Sequence, residues 1–234
     1  MKTYKYLFFD IDDTLLDFQA TEKEALRALF AEQNMDLTAE DERRYKEINQ
    51  GLWNAYENGK IDRDEVLNTR FSTFFMHYDL KVNGSLLERK YRSYLEQGHQ
   101  LIDGAMDLII QLQPQYELYI VTNGVSKTQD RRLRDSGLYP YFKDIFVSED
   151  TGFQKPMKEF FEYVFDRIPN YIPEQGLIIG DSLSADIKGG QISGLDTCWF
   201  NPLRKENQSG LSPTFEIQQL KEIHEILPSL VKTS

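Results

Sequence analysis

Cysteine is nearly absent from this sequence: Cys198 is the only one in 234 residues. A single cysteine excludes an intramolecular disulfide and is typical of a reducing compartment, so we expect a cytoplasmic protein. Long apolar runs are missing too. No stretch approaches the roughly 18 uncharged residues that cross a bilayer, and the first residues lack the features of a secretory signal. We therefore expect no membrane as a partner.

Basic residues are too few to balance the acidic ones. The sequence has 27 lysines and arginines against 38 aspartates and glutamates, which gives a formal net charge of −11. Such a charge repels polyanions, so we expect no nucleic-acid polymer as a partner. It also repels small anions. A site for an anionic ligand must therefore bring its own positive charge, most simply a divalent cation and a lysine.

Histidine is scarce as well. His77, His99 and His224 are scattered along the chain, and none accompanies a serine or cysteine nucleophile pattern. A nucleophile activated by histidine is therefore not indicated.

Six short segments have the apolar, β-branched or aromatic composition of buried strands. They are Tyr6–Phe9, Leu118–Val121, Ile145–Val147, Leu177–Ile179, Thr197–Phe200 and, more weakly, Thr214–Ile217. Helical patterns separate most of them, at Gly104–Leu112, Lys127–Ser136, Met157–Ile168 and Ser184–Ser193. Strands that alternate with helices in this way predict an α/β fold, a Rossmann-like doubly wound parallel sheet with right-handed crossovers.

One interval breaks the alternation, because about ninety residues between the first two strands carry helical periodicity and almost no strand signal. Helices are predicted at Phe18–Asn34 and Glu40–Asn58, a third begins after an N-cap at Asp62, and Ser85 with Glu88 forms a capping box for a fourth. We interpret the interval as an inserted α-helical domain. The predicted division is a core of residues 1–16 plus 102–234 and a helical domain of residues 17–101.

Polar side chains follow the predicted strands where each one ends. Asp10 and Asp12 follow the first strand, Thr122 and Asn123 the second, Lys155 lies in the loop after the third, and Asp181 and Asp186 follow the fourth. Ligands of open α/β sheets bind beyond the carboxyl ends of the strands, so these side chains are expected to converge. Clustered carboxylates repel one another unless a cation compensates them, and Mg²⁺ prefers such oxygen ligands.

Each signal has an ordinary structural explanation when it is taken alone. The Asp10–Thr14 segment could be a loop with Asx-turns, and Gly180–Ser182 could be a helix N-cap. These explanations do not account for several carboxylates and a lysine at one edge of a buried sheet, where unpaired charge costs stability. The joint pattern therefore favours a metal-assisted active site.

The four motifs resemble those of the haloacid dehalogenase-like hydrolase superfamily, in the same order along the chain. The matching segments are Asp10–Thr14, Thr122, Lys155 and Gly180–Asp186, and the helical insert looks like the small helical cap of that family. The resemblance implies a Mg²⁺-dependent phosphatase in which Asp10 is the nucleophile and forms an aspartyl-phosphate. It implies that Asp12 acts as general acid and base, and that the Asp10 carboxylate, the Asp12 backbone carbonyl and Asp181 hold the metal.

The remaining roles follow from the chemistry of phosphoryl transfer. Thr122 and Lys155 are expected to bind phosphoryl oxygens, where negative charge must be stabilised in the transition state. Asp186 is better placed to orient Lys155 or a metal-bound water. Asp12 also argues against a dehalogenase, because a halide leaving group needs no proton whereas a phosphoester oxygen does.

A finer resemblance concerns the substrate. The string Asp12–Phe18, the segments around Trp53 and Arg70, and Thr122–Gly124 look like the subgroup that includes the pyrimidine 5′-nucleotidases. It implies a small phosphorylated metabolite, favouring a nucleoside 5′-monophosphate, with Asn123 and Trp53 as further substrate-binding candidates. Trp53 and Tyr56 could stack on a base, but a tryptophan and a tyrosine at helical spacing are more often packing residues.

Several alternatives stay open at this stage. A phosphatase or phosphomutase acting on phosphoglycolate or a sugar phosphate would share the motifs, and the chain could be a monomer or a homodimer. A non-hydrolytic phospho-aspartate switch also uses aspartates, Mg²⁺, a threonine and a lysine above a parallel sheet. That class is disfavoured by the helical insert after the first strand. An inactive binding protein is disfavoured by the complete set of ionisable residues.

Overall fold

The computed structural model of the protein describes residues 2–227. Within these residues the strands form a six-stranded parallel sheet in the order β3-β2-β1-β4-β5-β6. The strands are β1 (Tyr6–Phe9), β2 (Glu117–Thr122), β3 (Asp144–Val147), β4 (Gly176–Gly180), β5 (Asp196–Phe200) and β6 (Phe215–Ile217). All six predicted strands and the doubly wound α/β fold are confirmed.

Alternate side chains of the strands build an apolar core on each face of the sheet. Leu7 and Phe9 of β1 lie in one core, and Tyr6 and Phe8 lie in the other. This follows from the period of two residues along a strand. Because both faces are covered, the central strands are apolar throughout and read in the sequence as continuous hydrophobic runs.

The connections of this unit are mostly helical. They comprise α5 (Ala105–Leu112), α6 (Ser126–Asp135), α7 (Ser148–Thr151), α8 (Lys158–Phe165), α9 (Lys188–Ile192) and α10 (Ile223–Ile226). A π-helical turn, Leu183–Ile187, precedes α9, so the predicted helix Ser184–Ser193 is split into two parts of different geometry. Single π-turns of this kind are frequent at functional sites.

A separate compact unit, Phe18–Gly98, is helical. Its helices are α1 (Phe18–Glu32), α2 (Ala39–Glu57), α3 (Arg63–Met76) and α4 (Gly84–Leu95). The predicted N-cap Asp62 is confirmed, since its carboxylate accepts a hydrogen bond from the backbone N–H of Glu65 at 2.7 Å. The predicted capping box of Ser85 and Glu88 is wrong. Asn83 caps α4 instead, by accepting from Leu86 N at 3.0 Å.

The helical unit has its own core, and a buried arginine beside this core explains why Glu88 does not cap α4. Aromatic side chains such as Tyr45, Phe71 and Tyr91 are fully buried in this core. Beside them Arg70 is buried and donates from Nε and Nη2 to one Glu88 oxygen, at 2.8 and 2.6 Å. A buried guanidinium requires such a partner, and this need outweighs a cap interaction.

The other unit contains the described residues up to Asp17 and from His99 onward. The division falls one residue later than expected at the first boundary and three residues earlier at the second. Leu16 pairs antiparallel with Leu101, and Asp17 N–H donates to the Gln100 carbonyl at 2.8 Å. The two chain segments that connect with the helical unit are thus hydrogen-bonded to each other.

Among the residues that the structure describes, no helix is both long and apolar enough to cross a membrane.

Candidate active site

The candidate site lies at the point where the strand order of the sheet reverses. β1 is central, with β2 on one side and β4 on the other, and Phe9 is in register with both Ile120 and Ile179. The chain therefore leaves β1 between two loops that diverge to opposite sides, which creates the crevice where ligands of such sheets bind. Asp10 is the first residue in this crevice, and its N–H donates to Ile179 O at 3.0 Å.

Lys155 connects two of the predicted carboxylates. Its Nζ donates to Asp10 Oδ1 at 2.7 Å, to Asp186 Oδ1 at 2.6 Å and to the Val121 carbonyl at 2.7 Å. An ammonium group has three N–H donors, and all three are used here. Lys155, Asp10 and Asp186 are all buried. The predicted contact between Asp186 and Lys155 is present in the structure.

Asp181 completes a group of acidic side chains. Ligand oxygens of Asp10, Asp181 and Asp186 lie within 4.8 Å of one another. The backbone of this loop is tied to the neighbouring strand, because the Trp199 indole N–H donates to the Asp181 carbonyl at 2.9 Å. Asp186 Oδ2 also accepts from Ser182 N–H at 3.0 Å, so the turn itself orients this carboxylate.

The pKa shifts of these side chains indicate that the site needs additional positive charge. Burial raises the pKa of Asp10 to about 8; the Lys155 ammonium opposes this rise, and the negative Asp186 and Asp12 add to it. Burial and the neighbouring Asp10 and Asp186 likewise raise the pKa of Asp181. Burial alone would lower the pKa of Lys155, but Asp10 and Asp186 raise it above its ordinary value.

The donor set fits a hard divalent cation. Three carboxylates and one ammonium leave two negative charges uncompensated when all are ionised, and the donor atoms are oxygens. The groups that could hold the ion are Asp10 and Asp181, with the Asp12 carbonyl as the predicted third ligand.

Gly180, at the end of β4, is required for this packing. A Cβ atom on Gly180 would lie 2.2 Å from Asp186 Oδ2 and 2.3 Å from the Asp186 carboxyl carbon. Any larger residue would therefore displace Asp186 and, through it, Lys155.

The Asp12 side chain points to α6. Its Oδ1 accepts from Arg132 Nη1 at 2.5 Å, and its Oδ2 accepts from Gln129 Nε2 at 2.7 Å. Gln129 and Arg132 are buried, whereas the Asp12 side chain is 30% exposed. Gln129 Nε2 also donates to Thr122 Oγ1 at 3.1 Å, so one side chain contacts two of the predicted site residues.

Asn123 contacts Lys155 through both ends of its amide. Its Nδ2 donates to the Lys155 carbonyl at 2.9 Å, and its Oδ1 accepts from Lys155 N–H at 2.8 Å. These two hydrogen bonds fix the loop that carries Lys155. The predicted contact of Asn123 with substrate stays a prediction.

Trp53 lies in the helical unit. It is partly buried, and its ring meets Tyr56 edge-on with a centroid distance of 5.7 Å. The two rings therefore pack against each other, and the stacking of Trp53 on a base stays a prediction.

Sequence reasoning missed Gln129, Arg132 and Trp199. A signal for the first two did exist: they are three residues apart on α6, and such residues lie on the same face of a helix. Their partner Asp12 is more than a hundred residues away in the sequence, so the pairing required the fold. Trp199 gave no signal, because an apolar strand residue whose N–H binds a backbone carbonyl looks like any core residue.

Comparison with known proteins gives consistent matches. The haloacid dehalogenase-like hydrolase family matches residues 4–194. The chain is 64% identical over 227 residues to the HAD-hydrolase YfnB of Bacillus subtilis, covering 97% of each chain. A crystal structure of YfnB, described as bound to magnesium and as revealing interdomain movement, has a TM-score of 0.93 and covers 97% of this chain and 99% of that chain.

Two further curated relatives are 5′-nucleotidases. The pyrimidine 5′-nucleotidase PynA of Streptococcus pneumoniae is 42% identical, covering 96% of this chain and 95% of PynA. The pyrimidine 5′-nucleotidase YjjG of Escherichia coli is 31% identical, covering 96% of this chain and 98% of YjjG. The family suggested by the four motifs is therefore confirmed: the chain belongs to the haloacid dehalogenase-like hydrolases.

Proposed function

We propose that this enzyme is a Mg²⁺-dependent phosphatase that hydrolyses a small phosphomonoester through an aspartyl-phosphate on Asp10, with pyrimidine nucleoside 5′-monophosphates as the favoured substrates. Its class, phosphoric monoester hydrolase, is supported by the family match and by the two 5′-nucleotidases among its relatives. The observation that carries the proposal is the group of Asp10, Asp181 and Asp186 with Lys155 at the switch point of the sheet.

Asp10 has the position of a nucleophile. It lies at the end of a buried strand, and Lys155 holds one of its oxygens at 2.7 Å, which leaves Oδ2 for attack on phosphorus. A covalent intermediate divides a very slow hydrolysis into two easier displacements. When bound, Mg²⁺ would supply positive charge to the phosphoryl oxygens and to Asp10 and Asp181.

Asp12 serves the proton transfers in this proposal. It protonates the leaving oxygen in the first step and accepts a proton from the attacking water in the second. Its partial exposure suits contact with a substrate, in contrast to the buried Asp186. Thr122 and Lys155 bind phosphoryl oxygens, and Asn123 keeps the Lys155 loop in place. A phosphoryl oxygen would take over one Lys155 donor from its present acceptor.

Substrate preference is tested by a panel of phosphomonoesters. We expect the highest kcat/KM among UMP, CMP, dUMP and dTMP, and at least about tenfold lower values for AMP, GMP, phosphoglycolate and hexose phosphates, a difference of about 1.4 kcal/mol in transition-state binding. Phosphate release with Mg²⁺ present is the measurement. A preference for phosphoglycolate or a hexose phosphate would move the substrate assignment to that class while leaving the phosphatase assignment intact.

Metal dependence is tested by chelation and by one substitution. We expect EDTA to remove phosphatase activity and Mg²⁺ to restore it, because a site with three clustered carboxylates needs a cation to accept an anionic substrate. Asp181→Asn removes a proposed metal ligand but no reacting atom. It should therefore raise the Mg²⁺ concentration for half-maximal activity by at least about 10-fold, because even the loss of a residue that only orients a metal ligand typically costs 10 to 100-fold in metal affinity.

Asp103 provides the matched control, since Asp103→Asn makes the same change in net charge at an exposed residue that is not one of the clustered carboxylates. Full activity of the EDTA-treated protein, or an unchanged Mg²⁺ requirement in Asp181→Asn, would contradict the metal assignment.

A further inference from the structure

We propose that Gln129 and Arg132 are positioning residues that hold the Asp12 carboxyl group for proton transfer to the leaving oxygen. This inference rests on the proposed phosphatase function. In the step concerned, a bond forms between an Asp10 oxygen and phosphorus, the bond from phosphorus to the leaving oxygen breaks, and the Asp12 proton moves to that oxygen. The product alcohol leaves neutral, and Asp12 is left as a carboxylate.

The first argument is the geometry around Asp12. Each carboxyl oxygen has its own donor, Arg132 at 2.5 Å and Gln129 at 2.7 Å, so both the direction and the plane of the group are fixed. A carboxylate has about four lone-pair positions on its two oxygens, and these donors use two of them. The others remain for a substrate, which the 30% exposure of the Asp12 side chain permits.

The second argument is the burial of the two donors. Arg132 is 1% exposed at its side chain, and burying a guanidinium is costly unless it is paired and hydrogen-bonded. Arg132 Nη1 donates to Gln129 Oε1 at 3.0 Å as well as to Asp12. Arg132 therefore orients Gln129, and both side chains converge on Asp12.

The third argument is that neighbouring residues keep α6 and Gln129 in place. At the start of α6, Ser126 donates from N to Glu149 and from Oγ to Asp150, both at 2.7 Å. A Cβ atom on Gly124 would lie 2.4 Å from Gln129 Nε2, so only a glycine there leaves room for the observed side chain. These contacts pre-organise the group that holds the proposed acid, as precise catalysis requires.

The test compares two leaving groups that differ in their need for a proton. Phenolate is a poor leaving group, since phenols such as the tyrosine side chain have a pKa of about 10. The nitro group of p-nitrophenolate stabilises its negative charge, so that anion departs with little help. The quantity to measure is kcat/KM for phenyl phosphate and for p-nitrophenyl phosphate with Mg²⁺. For each substrate kcat/KM reports the first chemical step and excludes the later hydrolysis that both substrates share.

Gln129→Met keeps the length of the side chain and removes its N–H donors. We expect it to lower kcat/KM for phenyl phosphate about tenfold, a part of the 10² to 10⁴ that general acid catalysis contributes, and to change the value for p-nitrophenyl phosphate about twofold at most. Arg132→Met should show the same selective loss, and Arg132→Lys should recover part of it. Arg131→Met is the control, because Arg131 is on the same helix with a side chain 54% exposed.

Equal losses on both substrates would overturn the inference, because they would place the role of Gln129 in phosphoryl binding through Thr122 or in stability alone. Unchanged kinetics would overturn it as well. If Arg132→Met fails to fold, Gly124→Ala displaces Gln129 without removing a buried charge, and it must show the selective loss on phenyl phosphate. A wild-type protein that releases phosphate from neither ester would instead overturn the proposed function.

Discussion

Asp10→Asn is expected to reduce phosphate release by at least about 10⁴-fold, as the removal of a nucleophile does in other covalent enzymes. An amide oxygen is a far weaker nucleophile than a carboxylate oxygen. The substitution keeps an oxygen that can accept the hydrogen bond from Lys155, so the site should stay assembled. Steady-state phosphate release with Mg²⁺ and intact-mass analysis of acid-quenched protein measure the two consequences. Wild type should carry a phosphorylated species that the variant lacks.

Stability separates a chemical effect of this substitution from a folding effect. Asp10 is a buried carboxyl with a raised pKa, so neutralising it should leave the melting temperature unchanged or higher in the absence of metal. Asp103→Asn, an exposed substitution of the same kind, should retain full activity. Normal turnover in Asp10→Asn would remove Asp10 from the reaction and with it the aspartyl-phosphate.

Lys155→Met is expected to destabilise the metal-free protein by about 3 to 5 kcal/mol, the typical result of removing one partner from a buried ion pair. Methionine fits the space of the side chain but leaves Asp10 and Asp186 without their ammonium partner. At about 2 to 4 °C per kcal/mol for a chain of this size, the melting temperature should fall by roughly 10 °C. Thermal unfolding in EDTA is the measurement. Mg²⁺ should recover part of the loss, because it supplies positive charge to the same carboxylates.

The destabilisation should grow as the pH rises. In the variant the Asp10 carboxyl has lost the cation that favours its charged form, so its pKa in the folded state, already raised by burial, rises further above the unfolded value near 3.9. Between these values the folded protein binds more protons than the unfolded chain, and its stability falls with increasing pH. We therefore expect a larger difference from wild type at pH 8 than at pH 5.

A double variant tests the origin of the effect. Lys155→Met with Asp186→Asn removes one of the stranded charges, so it should be more stable than Lys155→Met alone at pH 8, with a coupling energy of about 0.5 to 3 kcal/mol. Additive losses would mean that Lys155 stabilises the fold through its stem and the Val121 carbonyl and not through charge.

The core strands were predictable because their signal is local. Residues such as Leu177 to Ile179 are apolar on both faces, and a buried parallel strand has no other composition. The cap of α4 was mispredicted for the opposite reason. Ser85 and Glu88 have the right spacing for a capping box, but Asn83 is available for the cap and the buried Arg70 binds Glu88. A tertiary charge interaction thus outweighed a local motif.

The site was predictable to the extent that strand ends converge. The sequence was sufficient to predict that Asp10, Asp181 and Asp186 lie close together, because the strands that precede them were recognised and parallel strands end at one edge of the sheet. Gln129 and Arg132 could not, since they reach Asp12 from a helix whose rotation about its axis depends on packing. The hydrogen bond from the Asn123 amide to the Lys155 backbone could not be predicted either, because it depends on how the Lys155 loop folds back.

Leu16 pairs with Leu101, and Asp17 pairs with Gln100. This pairing affects how the helical unit can change during evolution. Where two chain segments are hydrogen-bonded at the base of an insertion, closing the remaining gap needs only a short hairpin loop. The sheet, the three clustered carboxylates and Lys155 all belong to the unit that contains the described residues up to Asp17 and from His99 onward. The helical unit can therefore be lengthened, exchanged or lost during evolution without interrupting the chain segments that carry the acidic side chains and Lys155.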